Sequence, residues 1–283
     1  MIAVTGASGQ LGQLVITHLL KKAEAKNIVA LVRDSDKAKH FEALNIEVRE
    51  ADYNKADTLI SSLKGIDTLL LISSSDVGNR TVQHKNVIDA AKQVGVQLLA
   101  YTSILNADNS PLSLAKEHID TERYLKEKNI PHVLLRNGWY TENYLAGIPA
   151  AIANGGYIGC AKDGRISSSA REDYAEAAAV VLTSETNQAG KVYELSGDES
   201  YTLEELCDII TEETGKTIPY IDMKEREFAD TLEKAGFPRP LAEMLADSDT
   251  GASKGGLLDE SHVLSDLIGH QTKPLRQMVK ASL

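Results

Sequence analysis

The stretch "IAVTGASGQLGQLVITHLL", residues 2–20, decides the fold. Ile2 to Thr5 form an apolar, β-branched run that reads as a strand, and apolar residues recur at helical spacing from Leu11 onward. Between the two, "GASGQLG" sets glycines at positions 6, 9 and 12. In a strand–turn–helix unit, Gly6 permits the tight turn and Gly9 lets backbone approach a pyrophosphate. Gly12 permits close packing of helix on strand. The first N–H groups of the helix have no acceptor within it and carry partial positive charge, which suits phosphate. So the whole loop, Gly6, Ala7, Ser8, Gly9, Gln10, Leu11 and Gly12, is a candidate cofactor cradle, with Gln10 placed towards its reactive end. A tight turn of an unrelated βα fold would produce the same three glycines. What favours a dinucleotide is that this unit heads a series.

The series runs through the first 140 residues. "IAVT" (2–5), "IVALVR" (28–33), "IEVREA" (46–51), "TLLLIS" (68–73), "LLAYTS" (98–103) and "HVLLRN" (132–137) read as six strands. Several lack polar alternation, as in a parallel sheet covered on both faces. Helical patterns separate them, among them "NRTVQHKNVIDAAKQVG" (79–95), where Val82, Val87, Ile88 and Ala91 are expected on one face. Alternating strands and helices of this length predict a doubly wound α/β sheet. After residue 140 the pattern loosens. "AGIPAAIANGGYIGCAKDGRISSSA" (146–170) reads as a helix followed by turns, "REDYAEAAAVVLTS" (171–184) as a helix and "KVYELSG" (191–197) as a strand. In "TLEELCDIITEETGK" Thr202 and Glu205 have capping-box spacing. "EREFADTLEKAG", "RPLAEMLADSDTG" and the closing segment add helices, whereas "DSDTGASKGGL" (247–257) reads as a Gly- and Ser-rich loop suited to a mobile rim. The expected organisation is a dinucleotide-binding domain over 1–145 with a return segment at about 171–197. Residues 146–170 and 198–283 form a small, mostly helical C-terminal lobe that holds substrate.

Composition narrows the function. The chain has 283 residues, 42% hydrophobic and 25% charged, with a formal charge of −11. That is enough for a full core, and the charge argues against nucleic acid as a partner, which needs a basic footprint. Cys160 and Cys207 lie far apart and outside any metal spacing, so no metal is expected. The chain enters a strand at once, leaving no room for a signal peptide, and no apolar run is long enough to span a bilayer. A reduced, cytoplasmic protein without membrane contact is the expectation.

The end of the second strand carries Arg33, in "ALVRDSDK". An acid at this place takes the ribose 2′-hydroxyl, while arginine suits a 2′-phosphate. NADPH is therefore favoured over NADH, the competing reading being that Arg33 faces solvent and Asp34 takes the ribose. Asp52, after the third strand, is placed either at the adenine edge or as an ordinary loop aspartate. Ser73, Ser74 and Ser75 leave the fourth strand as small polar residues able to line the cofactor's ribose.

"YTSILNADNSPLSLAKEH", residues 101–118, has the serine and lysine of a nicotinamide-dependent reductase, Ser103 and Lys116, but Leu112 stands where the tyrosine acid is usual. Together with the glycine pattern, Arg33 and the "ISSS" run, it resembles the short-chain dehydrogenase superfamily. "LLRNGWYTENY" (134–144) and "ADSDTGASKGGL" (246–257) make the resemblance finer, to the NmrA-like branch, and within it to bacterial flavin-free quinone reductases. The resemblance covers nearly the whole chain. It implies a Rossmann-type sheet plus a small lobe, NADPH without flavin or metal, and a small quinone as hydride acceptor. The tyrosine is absent from that branch too. It also implies that Gly138, Trp139, Tyr140, Thr141, Glu142 and Asn143 run along the nicotinamide. In that role Trp139 and Tyr140 stack on a flat ring, and Asn143 donates an amide N–H to a quinone oxygen. The alternative for Trp139 and Tyr140 is that they are core aromatics. A homodimer is compatible with the resemblance, although no exposed apolar stripe compels one.

The chemistry survives loss of the tyrosine for a quinone but not for a simple ketone. Hydride delivery to a ketone leaves an alkoxide, whose conjugate acid is nearly as weak as water, pKa about 15.7. A quinone leaves a phenolate-like anion of pKa about 10. The difference is worth about 8 kcal/mol at ~1.36 kcal/mol per unit, more than the ~10²–10⁴-fold a positioned acid supplies. Without its usual partner Lys116 reads as a solvated helix lysine, and His118 as a structural histidine. Ser103 is expected to bond backbone or cofactor without a chemical role. Arg171, opening the "REDYAEAAA" helix, is a candidate cofactor contact, with a plain salt bridge as the alternative. A non-catalytic NADP(H) redox sensor is the second reading of the same features. A nucleotide-sugar epimerase needs the tyrosine and is set aside.

Overall fold

The computed structural model describes residues 1–283. Its elements in chain order are β1 (Ile2–Val4), α1 (Gln10–Leu19), β2 (Ile28–Val32), α2 (Lys39–Glu42), β3 (Glu47–Glu50), α3 (Ala56–Ser62), β4 (Thr68–Leu71), α4 (Arg80–Val94), β5 (Leu98–Ile104), α5 (Ala115–Glu127) and β6 (His132–Asn137). There follow α6 (Thr141–Leu145), α7 (Ile148–Asn154), β7 (Tyr157–Gly159), α8 (Arg171–Leu182), β8 (Val192–Leu195), α9 (Leu203–Thr214) and β9 (Tyr220–Asp222). The chain closes with α10 (Glu225–Lys234), α11 (Arg239–Ala252), α12 (Val263–Ile268) and α13 (Leu275–Ser282).

Seven strands form one parallel sheet in the order β3-β2-β1-β4-β5-β6-β8, a Rossmann-like α/β fold with a helical C-terminal region. All six strands expected in the first 140 residues are present. The central ones are buried throughout: β2 reads Ile-Val-Ala-Leu-Val with no exposed position. The edge strand β3 is Glu-Val-Arg-Glu, polar at its exposed ends, which discourages pairing with another chain. Alternate strand residues divide the core. Ala3, Val29, Leu31, Leu69, Leu71, Leu99 and Tyr101 pack with Leu59 of α3, Leu63 just after it, and Val87, Ile88 and Ala91 of α4. On the opposite face α1 packs against α8, and α8 against β4 and β5. Because β1 pairs with both β2 and β4, the winding reverses between β1 and β4. A crevice therefore opens beyond their carboxyl ends, where ligands of open α/β sheets bind.

The chain divides into two compact units. One comprises 1–104, 116–137 and 171–193, and the other 105–115, 138–170 and 194–283. In the second unit β7 and β9 form a two-stranded parallel sheet, with Tyr157 opposite Tyr220. This sheet corrects the reading of 146–170 as a helix and turns. Three-residue strands are too short to show a period of two, and pairing across 60 residues leaves no local signal. The capping box of α9 is formed: the Glu205 N–H donates to the Thr202 hydroxyl at 3.1 Å, and the Thr202 N–H to the Glu205 carboxylate at 2.9 Å. Both cysteines are buried and unpaired, and burial pushes each thiol up to about 12.

Two further expectations need correction. Val82 is 62% exposed and does not share the face of Val87, Ile88 and Ala91. Five positions turn an α-helix by about 140° net, so the stripe through 87, 88 and 91 passes through position 84, not 82. The residue there, His84, is fully buried. Nor is "DSDTGASKGGL" a mobile loop. Its first half completes α11 as far as Ala252, with Ser248, Asp249, Gly251 and Ala252 buried. Helical hydrogen bonding plus a seat in the core outweighs the poor helix propensities of Ser, Asp, Thr and Gly.

Candidate dinucleotide site

The turn after β1 is held by its own backbone. Gly6 has φ +57°, in the left-handed region. The Gly9 N–H donates to the Gly6 carbonyl at 2.9 Å, and the Ala7 N–H ties the turn to the Leu31 carbonyl of β2 at 3.1 Å. Within α1 the first N–H to bond back is that of Gln13, to the Gly9 carbonyl at 3.0 Å, so Gln10, Leu11 and Gly12 precede the helical ladder. A Cβ on Gly12 would lie 2.4 Å from the Gly6 carbonyl oxygen and 2.7 Å from Ala7 Cα. Gly12 thus accommodates the turn, whereas the fingerprint reading had it accommodate a strand.

A cavity of about 290 Å³ opens at this turn, in the crevice between the ends of β1 and β4. It brings together Gly6, Ser8, Gly9, Arg33, Ser73, Ser74 and Ser75 of the expected site with Asp52, the adenine-edge candidate, and adds Tyr53, Asn54, Asp76 and Gln83. Ala7 and Leu11 turn into the core, and Gln10 is exposed at the start of α1. Of the two candidates at the end of β2, Arg33 lines the cavity and Asp34 does not. The Asp34 carboxylate instead accepts the Asp36 N–H at 3.1 Å. Asp52 accepts the Asn54 N–H at 3.0 Å, a local turn contact, while lining the same cavity.

The floor of the cavity is a polar network that the sequence reading missed. The Thr5 hydroxyl donates to the Leu70 carbonyl at 3.0 Å and accepts the Ile72 N–H at 2.9 Å, joining β1 to the segment leaving β4. Tyr53 caps it through the Ile72 carbonyl at 2.9 Å. The Ser73 N–H donates to the Thr102 hydroxyl at 2.8 Å, the Ser74 N–H to His84 Nε2 at 2.9 Å, and Arg80 Nε to the Ser74 carbonyl at 2.6 Å. Since His84 Nε2 accepts a backbone N–H, its proton sits on Nδ1. That nitrogen faces the Thr121 hydroxyl at 2.9 Å, which in turn donates to the Glu117 carbonyl at 2.8 Å. Burial, then the Arg80 charge, holds the imidazole down to about 3, so this tautomer persists across ordinary pH. The network could have been suspected from a histidine set in the apolar stripe of α4.

The residues of the missing acid separate into structural roles. The Ser103 hydroxyl donates to Glu122 at 2.5 Å, and the same carboxylate takes Arg136 through Nε at 3.0 Å and Nη2 at 2.6 Å. Both ion-pair partners are about 10% exposed. The Ser103 hydroxyl therefore donates to a side chain and not to backbone. Lys116 is exposed on α5. His118 is buried against the Tyr101 hydroxyl at 2.8 Å and the Arg80 guanidinium at 3.3 Å, and burial holds it far below its usual value. A neutral, enclosed imidazole is no general acid. Leu112 is a core residue of the second unit: added Cβ atoms on Gly251 and Gly256 would each come within 2.7 Å of it. Gly251 and Gly256 thus make the seat for Leu112.

In the second unit Gly138 is buried and Trp139 and Tyr140 are half-buried. The Ser169 N–H donates to the Trp139 carbonyl at 3.1 Å and the Thr141 N–H to the Ser169 carbonyl at 2.9 Å. Thr141 is buried, Glu142 half-buried and Asn143 exposed. Arg171, first residue of α8, belongs to the first unit and lies outside the cavity lining. No group of three or more His, Cys, Asp or Glu side chains is placed to hold a metal ion, and no helix is long and apolar enough to cross a membrane.

Known proteins share this fold over the whole chain. Quinone oxidoreductase 2 of Escherichia coli K12 is 54% identical over 279 residues, 99% of this chain and 97% of that protein. The crystal structure of the Escherichia coli NADPH-dependent quinone oxidoreductase complexed with NADPH superposes with a TM-score of 0.97, covering 99% of both chains. Triphenylmethane reductase of Citrobacter sp., complexed with NADP(H), is 39% identical with a TM-score of 0.96 over the whole of both chains. The NmrA-like family model matches residues 1–261. With the family match, the fold and the length in agreement, the chain belongs to the NmrA-like family and is a close homologue of the Escherichia coli quinone oxidoreductase.

Proposed function

We propose that this protein is a flavin-free, NADPH-dependent quinone reductase acting by direct two-electron transfer. The observation that carries the reading is the cavity at the β1–β4 switch point. There an arginine ends β2, a glycine turn opens α1, and three serines face them. These residues fit the cofactor: the free N–H groups at the start of α1 suit a pyrophosphate, and Arg33 suits the 2′-phosphate that NADH lacks. Gly6, Ala7, Ser8 and Gly9 hold the phosphates, Gln10, Leu11 and Gly12 supply helix N–H groups, and Ser73, Ser74 and Ser75 line the ribose. Gly138 to Asn143 hold the nicotinamide side, with Arg171 as a further contact. Residues up to about 145 and the return segment form the cofactor domain, the remainder the substrate lobe. When bound, NADPH supplies a hydride to the quinone. Trp139 and Tyr140 hold the flat acceptor, Asn143 donates its amide N–H to the oxygen that becomes anionic, and water delivers the proton. No side-chain acid is required, because the anion formed is phenolate-like.

The test is NADPH oxidation with 1,4-benzoquinone, beside NADH and a simple ketone. Turnover with NADPH and quinone alone is expected; tight NADPH binding without turnover for several small quinones would replace the enzyme by a redox sensor. Arg33→Ala should raise KM for NADPH by about 10- to 100-fold, the worth of a charge-assisted hydrogen bond of roughly 1.5–3 kcal/mol, and leave KM for NADH where it was. An equal rise for both coenzymes removes Arg33 from the 2′-phosphate. Ser103→Ala should keep kcat within about threefold, against the ~10²–10⁴-fold of a positioned acid–base group. A thousandfold loss would mean that Ser103 leaves Glu122 to act on substrate.

A further inference from the structure

The segment that carries Trp139, Tyr140 and Asn143 is gripped from one side by hydroxyl groups. Thr141 Oγ1 lies 2.7 Å from Ser168 Oγ, and Ser168 Oγ lies 2.6 Å from the Tyr201 hydroxyl. All three side chains are buried. Tyr201 is itself fixed at both backbone atoms: its N–H donates to the Ile166 carbonyl at 3.1 Å, and its carbonyl accepts the Ile166 N–H at 2.8 Å. Its ring stands edge-on to Tyr144, 6.3 Å between centroids, and Tyr144 follows Asn143 in α6. Beside the hydroxyl chain run the two backbone bonds that pair Trp139 and Thr141 with Ser169. The segment is therefore held through its backbone and, separately, through one side chain.

Backbone pairing alone fixes the line of a strand but leaves the pivot of a five-residue helix such as α6 free. The hydroxyl chain supplies the missing point, because Thr141 is the first residue of α6 and its side chain is bonded in addition to its backbone N–H. The direction of the first bond follows from acidity. A phenol is a better donor and a poorer acceptor than an aliphatic alcohol, so Tyr201 donates to Ser168, while in the second bond either Ser168 or Thr141 can donate. Buried hydroxyls in series also strengthen one another.

Resting on the quinone-reductase reading, we infer that Ser168 and Tyr201 are positioning residues: through Thr141 they hold Trp139, Tyr140 and Asn143 in the geometry that hydride transfer needs. Neither residue touches cofactor or substrate in this scheme. Their removal should slow the chemical step while leaving substrate affinity almost unchanged, since misplacement of about 1 Å costs up to ~10²-fold in rate.

Trp139 is the single tryptophan of the chain, so its fluorescence reports on this segment alone. The experiment compares full-length wild type with Ser168→Ala, Tyr201→Phe and Ser168→Thr, the last keeping a hydroxyl. Three quantities are read: acrylamide quenching of Trp139, kcat and KM with NADPH and 1,4-benzoquinone, and the primary deuterium isotope effect on kcat with nicotinamide-deuterated NADPH. For the Ala and Phe variants we expect faster quenching, a kcat lower by about 10- to 100-fold and a KM within about threefold. The isotope effect should be larger than in wild type. Ser168→Thr should lie nearer to wild type in all three. Should a variant fold poorly, the isotope effect and KM still decide, because they are independent of the active fraction. Wild-type quenching and isotope effect in Ser168→Ala and Tyr201→Phe would overturn the inference, as would faster quenching with unchanged kcat. A wild-type enzyme that does not oxidise NADPH with quinone defeats the functional reading instead, while the quenching series still tests the grip on the segment.

Discussion

Gly12→Ala is expected to weaken NADPH binding by at least about a hundredfold, although alanine is the better helix former by about 1 kcal/mol. The added methyl carbon would sit 2.4 Å from the Gly6 carbonyl oxygen and 2.7 Å from Ala7 Cα. Both are backbone atoms, so no rotamer change relieves the contact. The turn must move, and it is tied by the Gly9 N–H to Gly6 and by the Ala7 N–H to Leu31 of β2. Overpacking of this kind costs about 1–3 kcal/mol in stability, and the displaced turn carries the groups proposed to hold the pyrophosphate. Gly9→Ala is the comparison for stability alone, because Gly9 is itself proposed to lie against the phosphates. Its Cβ would meet the Gly6 oxygen at 3.1 Å, a contact that a shift of a few tenths of an ångström relieves. A smaller loss of thermal stability than in Gly12→Ala is expected there. NADPH titration followed by Trp139 fluorescence, with thermal unfolding of each variant, measures both. A Gly12→Ala protein that binds NADPH within threefold of wild type would separate this turn from the phosphates.

The second large effect is on stability and depends on pH. Asp249, on α11, is almost completely buried and accepts one backbone N–H, that of Cys160, at 3.0 Å. Burial raises its carboxyl from the usual value to about 7, and the nearby Asp222 charge adds to the rise against the Cys160 bond. In the unfolded chain the group ionises near pH ~3.9. Between those two values the folded protein holds a proton that the unfolded chain has released, so this group's contribution to stability falls as pH rises from about 4 to about 7. Above pH 7 the loss is complete, on the order of 4 kcal/mol at ~1.36 kcal/mol per unit. Asp249→Asn keeps an oxygen for Cys160 and cannot ionise. Its Tm should exceed that of wild type at pH 8, and the difference should shrink steadily towards pH 4. Equal Tm values at pH 8, or a difference that grows on acidification, would mean that Asp249 is ionised in the folded protein with a partner that stabilises its charge.

The Glu122–Arg136 pair shows the opposite arrangement, a largely buried carboxylate with a guanidinium fork against it. The contrast explains a limit of sequence reading. Both acids look ordinary in the sequence, Glu122 in an amphipathic helix and Asp249 in a run of Ser, Asp and Thr. Which of them meets a cation depends on strands and helices more than ten residues away. For the same reason Ser103 read as a backbone or cofactor ligand, since its partner arrives from α5 and that partner's own partner from β6.

What the residues determine by themselves at this chain's first element is the turn. Gly6, Gly9 and Gly12 at their spacing, between an apolar strand and a helix, favour the βα turn because glycine takes the left-handed φ of Gly6 at no steric cost and leaves room at Gly12 for the close approach of the Gly6 carbonyl. The order of the first six strands was legible likewise, because uninterrupted apolar runs and 3.6-residue stripes are local properties. Arg33 at the end of a strand was equally readable. The short strands β7 and β9, the burial of α11 and the seat of Leu112 were settled by packing instead. A three-residue strand has no period, and the glycines at 251 and 256 gain their meaning only from the leucine that rests on them. The polar floor beneath the cavity was decided in the same way. His84 and Arg80 sit on a helix whose buried face looked apolar, and only the approach of the Ser73–Ser74 backbone supplies the N–H and carbonyl groups that make burying them favourable.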